Sequence, residues 1–277
     1  MSTITAAPTA IPRRRYDHAR ASLGNVVRSE WTKFWSVRST FWTLLTLIIS
    51  TVGLSVLAAW GASTHLNRMS PSDRAHLDVT FNSLSGLVLG QLAIAVLGVM
   101  AVTTEYSTGG IKPTLTAVPN RLRVLLGKGI VFAIVATIVG MITAFAAFYA
   151  AMPFWAHQHL AAHLGDPGVL RAVIGAGLYV LASGLFGFAF GALIRHTAGA
   201  ITIAVALLFV VPLILNALPG GWGKWIYEHF TSNAGGMIFT TVPQTNGLAP
   251  WTGYITFTIW WLVPLAIGAY LMKRRDA

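Results

Sequence analysis

The sequence predicts an all-α, polytopic membrane protein with six transmembrane helices, preceded by an amphipathic helix at the membrane interface. Its residues are 55% hydrophobic and only 10% charged, and its mean hydropathy is +0.66. A helix needs about 20 apolar residues to cross a hydrocarbon core of about 30 Å. Six stretches of that length have no charge at their centres: 40–61, 81–103, 129–151, 172–194, 198–218 and 251–272. These stretches do not alternate in polarity, which argues against a transmembrane β-barrel.

The positions of the basic residues predict the orientation. All but four of the 19 Lys and Arg residues lie in the termini or in segments that would share one side with them. The four on the other side are Arg68, Arg74, Arg171 and Lys224. Because positive charge accumulates on the cytoplasmic side, both termini are predicted to be cytoplasmic. We attribute the net charge of +11 to topology and to contact with anionic lipid rather than to nucleic acid, since no clustered basic face is evident.

Three regions follow from this topology. Residues 1–22 are rich in Ala, Thr, Pro and Arg and are predicted to form a disordered cytoplasmic tail. Residues 23–38 are predicted to form the interface helix, and residues 39–277 the six-helix membrane domain.

The interface helix is predicted from its aromatic spacing. Val27, Trp31, Phe34 and Trp35 recur at helical intervals, with polar residues mostly on the other side. The residues that characterise this helix are Trp31, Lys33, Phe34, Trp35 and Arg38. Tryptophans beside cations suit a helix that lies in the interface. The helix is either a juxtamembrane anchor or a lever that transmits motion to the first span.

The segment between spans two and three contains an isolated acid followed by a turn. Glu105 is the only acid between Asp78 and Asp166, and the pair Gly109-Gly110 permits a sharp turn. One or two short helical turns are expected to follow, bounded by Pro119. The segment is either an ordinary basic loop or a compact element that docks onto a soluble partner.

Span four carries glycines at three- and four-residue spacing, namely Gly184, Gly187 and Gly191. Such small residues let membrane helices approach closely. The contact is either with a neighbouring span of the same chain or with another subunit.

Two outer segments have alternative interpretations. His159 and His163 would share a helical face at four-residue spacing and could bind a metal, but solvated loop histidines are the favoured interpretation, so no metal site is predicted. Residues 219–250 are rich in glycine and aromatic residues. This segment is expected to contain short helices on or within the outer leaflet.

Several function classes lack their sequence signals. Neither Gly-Lys pair fits the G-x-x-x-x-G-K-[ST] phosphate loop, no H-E-x-x-H zinc motif occurs, and Ser85 and Ser183 lie outside a G-x-S-x-G context. The chain has no cysteine, which excludes disulfides and thiolate chemistry. We therefore expect no enzymatic activity and no cofactor. The predicted span centres carry no Asp, Glu, Lys or Arg, which argues against an ion-coupled transporter.

Three stretches carry a resemblance to a known family: SEWTKFWSVRSTFWTLL at 29–45, EYSTGGIKPTLTAVPNRLRVLLGK at 105–128 and GLFGFAFGALIRHTAGAI at 184–201. Together they resemble ABC-2 type permeases, most closely the six-span type common in actinobacteria. The middle motif is the most specific, although Gly110 departs from the usual single glycine.

This resemblance implies a permease subunit of an ATP-driven exporter in a bacterial plasma (inner) membrane. The cargo would be an amphipathic or lipid-like compound, and a separate ATP-binding cassette subunit would hydrolyse ATP. Two copies of the permease, or one copy and a related permease, would pair. The residues implied to couple to the ATPase are Glu105, Tyr106, Thr108, Gly109, Ile111, Pro119, Arg121 and Arg123. The alternatives are an ion-coupled transporter or channel, and a non-transporting membrane scaffold.

Overall fold

In the computed structural model, residues 22–244 and 247–274 are described, and over these ranges the chain is helical without strands. Most of the tail predicted at 1–22 therefore lies outside the described residues. The α-helices are α1 Leu23–Ser36, α2 Arg38–His65, α3 Pro71–Ala75, α4 Val79–Ser83, α5 Leu87–Ser107, α6 Ile111–Ala117, α7 Arg121–Ala156, α8 Val169–Ile194, α9 Thr197–Val205, α10 Val211–Asn216, α11 Gly220–His229, α12 Thr231–Gly236 and α13 Pro250–Arg274.

Six helical segments within the described residues are long and apolar enough to cross a membrane. They are α2, α5, α7, α8, the combined α9–α10 segment (Thr197–Asn216), and α13. The six spans predicted from hydropathy are thus confirmed as helices. Their boundaries differ most at three points. Arg38 begins α2 rather than ending the interface helix, and the second long helix begins at Leu87 rather than at residue 81. Helix α7 begins at Arg121, eight residues before the predicted third span.

Helix α8 lies at the centre of the bundle and packs against α5, α7 and α13. Its glycines allow this close packing. A side chain at Gly187 would place its Cβ 1.9 Å from the carbonyl oxygen of Ala95 on α5, and one at Gly184 would meet Ile94 and the ring of Phe132 at 2.9 Å. Gly191 faces α5 as well, with Val99 as its neighbour. The three glycines therefore pack α8 against spans of its own chain.

The α9–α10 span is interrupted by a π-helical turn at Ala206–Val210, followed by Pro212 inside α10. Since proline has no backbone N–H, it cannot donate to the carbonyl of Leu208 four residues earlier. The hydroxyl of Ser232 donates to this carbonyl at 2.8 Å, and that of Thr231 donates to Leu207 at 2.7 Å. Helix α12 is therefore bonded to the irregular part of the span, where lipid would offer no donor.

The predicted outer segments contain short helices. The described residues of the segment 219–250 include α11, α12 and a 3₁₀ turn at Met237–Phe239, and four of the six residues of α12 are buried. The histidine segment after α7 is not helical, so the spacing of His159 and His163 does not place them on one helical face. In the described part of the chain, no group of three or more His, Asp or Glu side chains could hold a metal ion.

Candidate functional site

Four charged side chains from three helices meet at the predicted cytoplasmic end of the bundle. Glu30 and Lys33 come from α1, Glu105 from the last turns of α5, and Lys128 from the second turn of α7. The Lys128 Nζ lies 2.7 Å from both Glu30 Oε2 and Glu105 Oε1. The Lys33 Nζ lies 2.9 Å from Glu30 Oε1 and 3.0 Å from Glu105 Oε1. We call these four residues the ionic cluster.

A close helix contact places Glu30 next to Lys128. Gly127 lies against Val26 of α1, and a Cβ at Gly127 would come 2.6 Å from Val26 Cγ1. Val26 and Glu30 are four residues apart and share one helical face. As Val26 lies against Gly127, Glu30 reaches the side chain of the next residue, Lys128. A larger residue at position 127 would push α1 away and separate this pair.

The ionic cluster combines two carboxylates and two ammonium groups, so its formal charge is zero. Glu30 is only 6% exposed and Lys128 only 9%. Charges this deeply buried need partners, because removing one ion from water costs several kcal/mol. Lys33 lies at the rim, with 43% of its side chain exposed. Partial burial lowers the pKa of Lys33, but the hydrogen bonds to Glu30 and Glu105 outweigh burial and raise this pKa above its usual value.

The cluster also contacts the segment between α5 and α7. Lys33 Nζ lies 3.4 Å from the hydroxyl of Thr114 in α6. The turn before α6 is tight because Gly109 adopts a φ of +73°, a conformation that glycine allows at no steric cost. Gly110 has a φ of −63°, which any residue can adopt, so the second glycine is not required by the backbone.

The residues singled out as coupling residues are distributed over this segment. Glu105 and Tyr106 lie in the last turn of α5, Thr108 is the residue that ends it, and Pro119 precedes the N-cap of α7. Ile111 begins α6, and its side chain lies outside the described part of the structure. Arg121 and Arg123 lie in the first turn of α7. Arg121 Nη1 lies 3.4 Å from the carbonyl oxygen of Met272 near the end of α13.

A second set of contacts links α5 to the turn between α8 and α9. The guanidinium of Arg195 lies over the ring of Tyr106, 5.5 Å from its centroid, and Thr197 donates a hydrogen bond to the hydroxyl of Thr103 at 2.9 Å. Arg195 itself has a φ of 59°. The end of α5 is therefore in contact with α1, α7 and the α8–α9 turn.

The two tryptophans of α1 face away from the bundle. Trp31 and Trp35 are 40% and 49% exposed, and their rings contact one another edge to face. Phe34 is half-buried against the core. The face that packs against α7 is instead formed by Val26 and Glu30, which are both buried. An acid thus lies on the buried face, and two tryptophans lie on the face available to lipid or to another protein.

The sequence prediction included Lys33 and Glu105 but missed Glu30 and Lys128. Lys128 was assigned to a connecting segment, whereas α7 contains it and buries it. A signal for Glu30 was present, since an acid three residues before a lysine on the same helix can form a local ion pair. The partner across the bundle could not be read from spacing, because Glu30 and Lys128 are 98 residues apart.

Comparisons with protein-family models and with curated proteins found no match to this chain. Over the described residues, the fold is that of an all-helical protein with six helices long and apolar enough to cross a membrane.

Proposed function

We propose that this chain is the permease subunit of an ATP-driven exporter and works with a separate ATP-binding subunit. The cargo class that we propose is an amphipathic or lipid-like compound. The observation that carries the proposal is the ionic cluster, because it joins the helix before the first span to the ends of the second and third spans. In this proposal both termini are cytoplasmic, α1 lies in the inner membrane interface, and two permeases pair.

The mechanism follows from the contacts of α6. This short helix lies beyond the cluster, is connected to α5 by the Gly109 turn and contacts Lys33 through Thr114. A partner that pushes on α6 would displace the end of α5 and the beginning of α7 together. The two helices are joined there by an ion pair in which Lys128 Nζ lies 2.7 Å from Glu105 Oε1. Glu30 extends the same displacement to α1. Helix α1 would then act as a lever on the first span, which begins two residues after it ends.

The first experiment tests for the partner. The tagged full-length chain is purified from its native membrane in a mild detergent, and the co-purifying proteins are assayed for ATP hydrolysis. We expect a stoichiometric ATP-binding subunit. A folded permease that carries no ATPase would contradict the proposal and would favour the ion-coupled transporter or the scaffold.

A pair of matched variants then locates the contact. Pro113 is exposed in α6, and Pro167 is exposed in the turn before α8 at the opposite end. Pro113→Glu places a negative charge on the proposed docking surface and should reduce the amount of bound ATPase several-fold. Pro167→Glu should leave it unchanged. Equal retention of the ATPase by both variants would exclude α6 as the docking element.

A further inference from the structure

Arg195 ends α8 in a backbone conformation that residues with a side chain rarely adopt. Its φ is 59° and its ψ is 12°, and its N–H donates to the carbonyl oxygen of Gly191 at 3.0 Å. Glycine is the usual residue at such a helix end, because it has no Cβ to crowd the backbone. Among the described non-glycine residues, only His159 in the predicted outer segment shares a positive φ. The backbone alone therefore does not account for an arginine at position 195.

The guanidinium of Arg195 is held in place but has no acceptor. It lies over the ring of Tyr106, 5.5 Å from the ring centroid. Its Nη2 is buried without a hydrogen-bond partner among the described residues, whereas Nε and Nη1 are not closed off from solvent. The residue as a whole is half-buried. The accessible N–H groups can donate to a carboxylate from outside the chain, and such charge-assisted hydrogen bonds are strong.

The described acids on the predicted cytoplasmic side are already paired. They are Glu30 and Glu105, and both are bound by the lysines of the ionic cluster. The other described acids lie in the predicted outer segments, namely Asp73, Asp78, Asp166 and Glu228. No carboxylate of the described residues is therefore free to pair with Arg195.

The position of Arg195 in the bundle favours a cytosolic partner over a lipid head group. Helix α8 is the most buried of the six spans, so its end is surrounded by other helices and not by lipid. Arg121 at the beginning of α7 lies close enough to Tyr106 for its charge to act there. This part of the predicted cytoplasmic surface is therefore basic, and it is complementary to an acidic protein surface.

Two contacts fasten the α8–α9 turn to α5. Besides the contact between Arg195 and Tyr106, the hydroxyl of Thr197 donates to that of Thr103 at 2.9 Å, and Thr103 is fully buried. Because the turn is already held, binding a partner there orders little of the chain, which favours affinity. A partner bound at Arg195 also acts on the end of α5, the helix that carries Glu105 of the ionic cluster.

We propose that Arg195 binds a carboxylate of the ATP-binding subunit, so that the α8–α9 turn is a second docking point besides α6. The inference rests on the proposed exporter function and names a further contact of the same partner. The partner then acts on the end of α5 from two sides, through α6, which follows α5 in the chain, and through Arg195, which lies over Tyr106.

The first test compares glycine variants at the two positions with a positive φ. Arg195→Gly removes the guanidinium and suits this backbone conformation, and His159→Gly is the matched control at the opposite end. Each purified full-length variant is titrated in detergent with the ATP-binding subunit that co-purifies with the wild type. Arg195→Gly should bind it about ten- to a hundredfold more weakly, as expected for the loss of a hydrogen bond between charged groups. His159→Gly should bind as the wild type does.

The thermal midpoint of the same variants separates docking from a role in the helix end. A shifted midpoint with unchanged affinity for the ATP-binding subunit would reduce Arg195 to a cap of α8 and would overturn the proposal. If Arg195→Gly does not fold, Arg195→Asn takes its place, since asparagine also adopts this conformation. If the wild type recovers no ATPase, the exporter proposal itself fails. If the wild type binds the ATPase and the folded Arg195 variant binds it equally, only the second docking point fails.

A second test identifies what lies beside position 195. Because the chain has no cysteine, Arg195→Cys and His159→Cys each introduce a single thiol, and α6 is unchanged in both variants. Each is labelled with a thiol-specific benzophenone and irradiated in the native membrane. We expect a crosslink to the ATP-binding subunit from position 195 and none from position 159. A crosslink confined to lipid, or to this chain, whose termini carry Asp17 and Asp276, would overturn the proposal.

Discussion

The two ends of the bundle are held together in different ways. At the predicted cytoplasmic end, ion pairs between side chains join α1, α5 and α7. At the opposite end, side chains are bonded mainly to the backbone of the segment after α12. Asp78 accepts from the N–H of Val242 at 2.9 Å and from the hydroxyl of Thr241 at 2.7 Å. Arg171 donates to the carbonyl oxygens of Ile238 and Thr240 at 2.9 and 2.7 Å.

This difference bears on which end can move. A bond to a backbone atom fixes one peptide unit at one place, and several such bonds to residues 238–242 hold that segment in a single register. A pair of long side chains tolerates small shifts of its helices, because each ammonium has three donors and a flexible stem. The ionic cluster can therefore stay paired through small adjustments while α1, α5 and α7 are displaced together. This property suits the lever role proposed for α1.

The largest expected effect comes from breaking the buried part of the ionic cluster. Lys128→Met removes the buried cation shared by Glu30 and Glu105 and leaves them only the half-exposed Lys33. Removal of one partner from a buried pair costs about 3–5 kcal/mol. We expect a marked fall in the thermal midpoint, measured by fluorescence-detected size-exclusion chromatography in detergent. Lys33→Met is the control, because Lys33 is 43% exposed and such pairs contribute roughly 0.2–1 kcal/mol. Equal losses in the two variants would show that burial does not distinguish the two lysines.

A smaller effect is expected at the opposite end. Asp78→Asn keeps the shape of the side chain but removes its charge and one acceptor oxygen, so the bonds to Thr241 and Val242 are weakened. The loss should be about 1.5–3 kcal/mol, as for hydrogen bonds to a charged group. Hydrogen exchange at 240–242 should become faster while exchange near α1 is unchanged. Asp73→Asn, at an exposed carboxylate, is the control, and accelerated exchange at both ends would contradict the independence of the two regions.

The extent of the sequence prediction differs between these regions for a physical reason. Hydropathy predicted the six long helices because each helix that crosses a membrane needs about 20 apolar residues in a row, which can be counted in the sequence. The turn at Gly109 was also predicted, because it depends only on neighbouring residues. The short helix expected after this turn is α6, which ends two residues before Pro119. The partners of Glu30 and Asp78 were not predicted. Asp78 binds residues 163 and 164 positions away, and contacts at such separations depend on how the helices pack. The sequence shows the proline at position 212. It does not show that the hydroxyl of Ser232 donates to the carbonyl oxygen of Leu208, which Pro212 leaves without a backbone donor.

The smallest expected effect is the pH dependence of Lys33. Burial alone would lower the pKa of Lys33, but hydrogen bonds to Glu30 and Glu105 raise it above 10.5. A raised pKa in the folded state means that the stabilisation is complete below the pKa of the unfolded chain and is lost as the pH rises through the folded value. The stability difference between wild type and Lys33→Met should therefore stay constant from pH 7 to about 9 and decrease only above about 10.5. Lys33→Arg is the control. Its guanidinium remains charged, so the stability difference between Lys33→Arg and Lys33→Met should persist at the highest pH. A difference that already decreases between pH 7 and about 9 would mean that another group, titrating near neutrality, controls this contact.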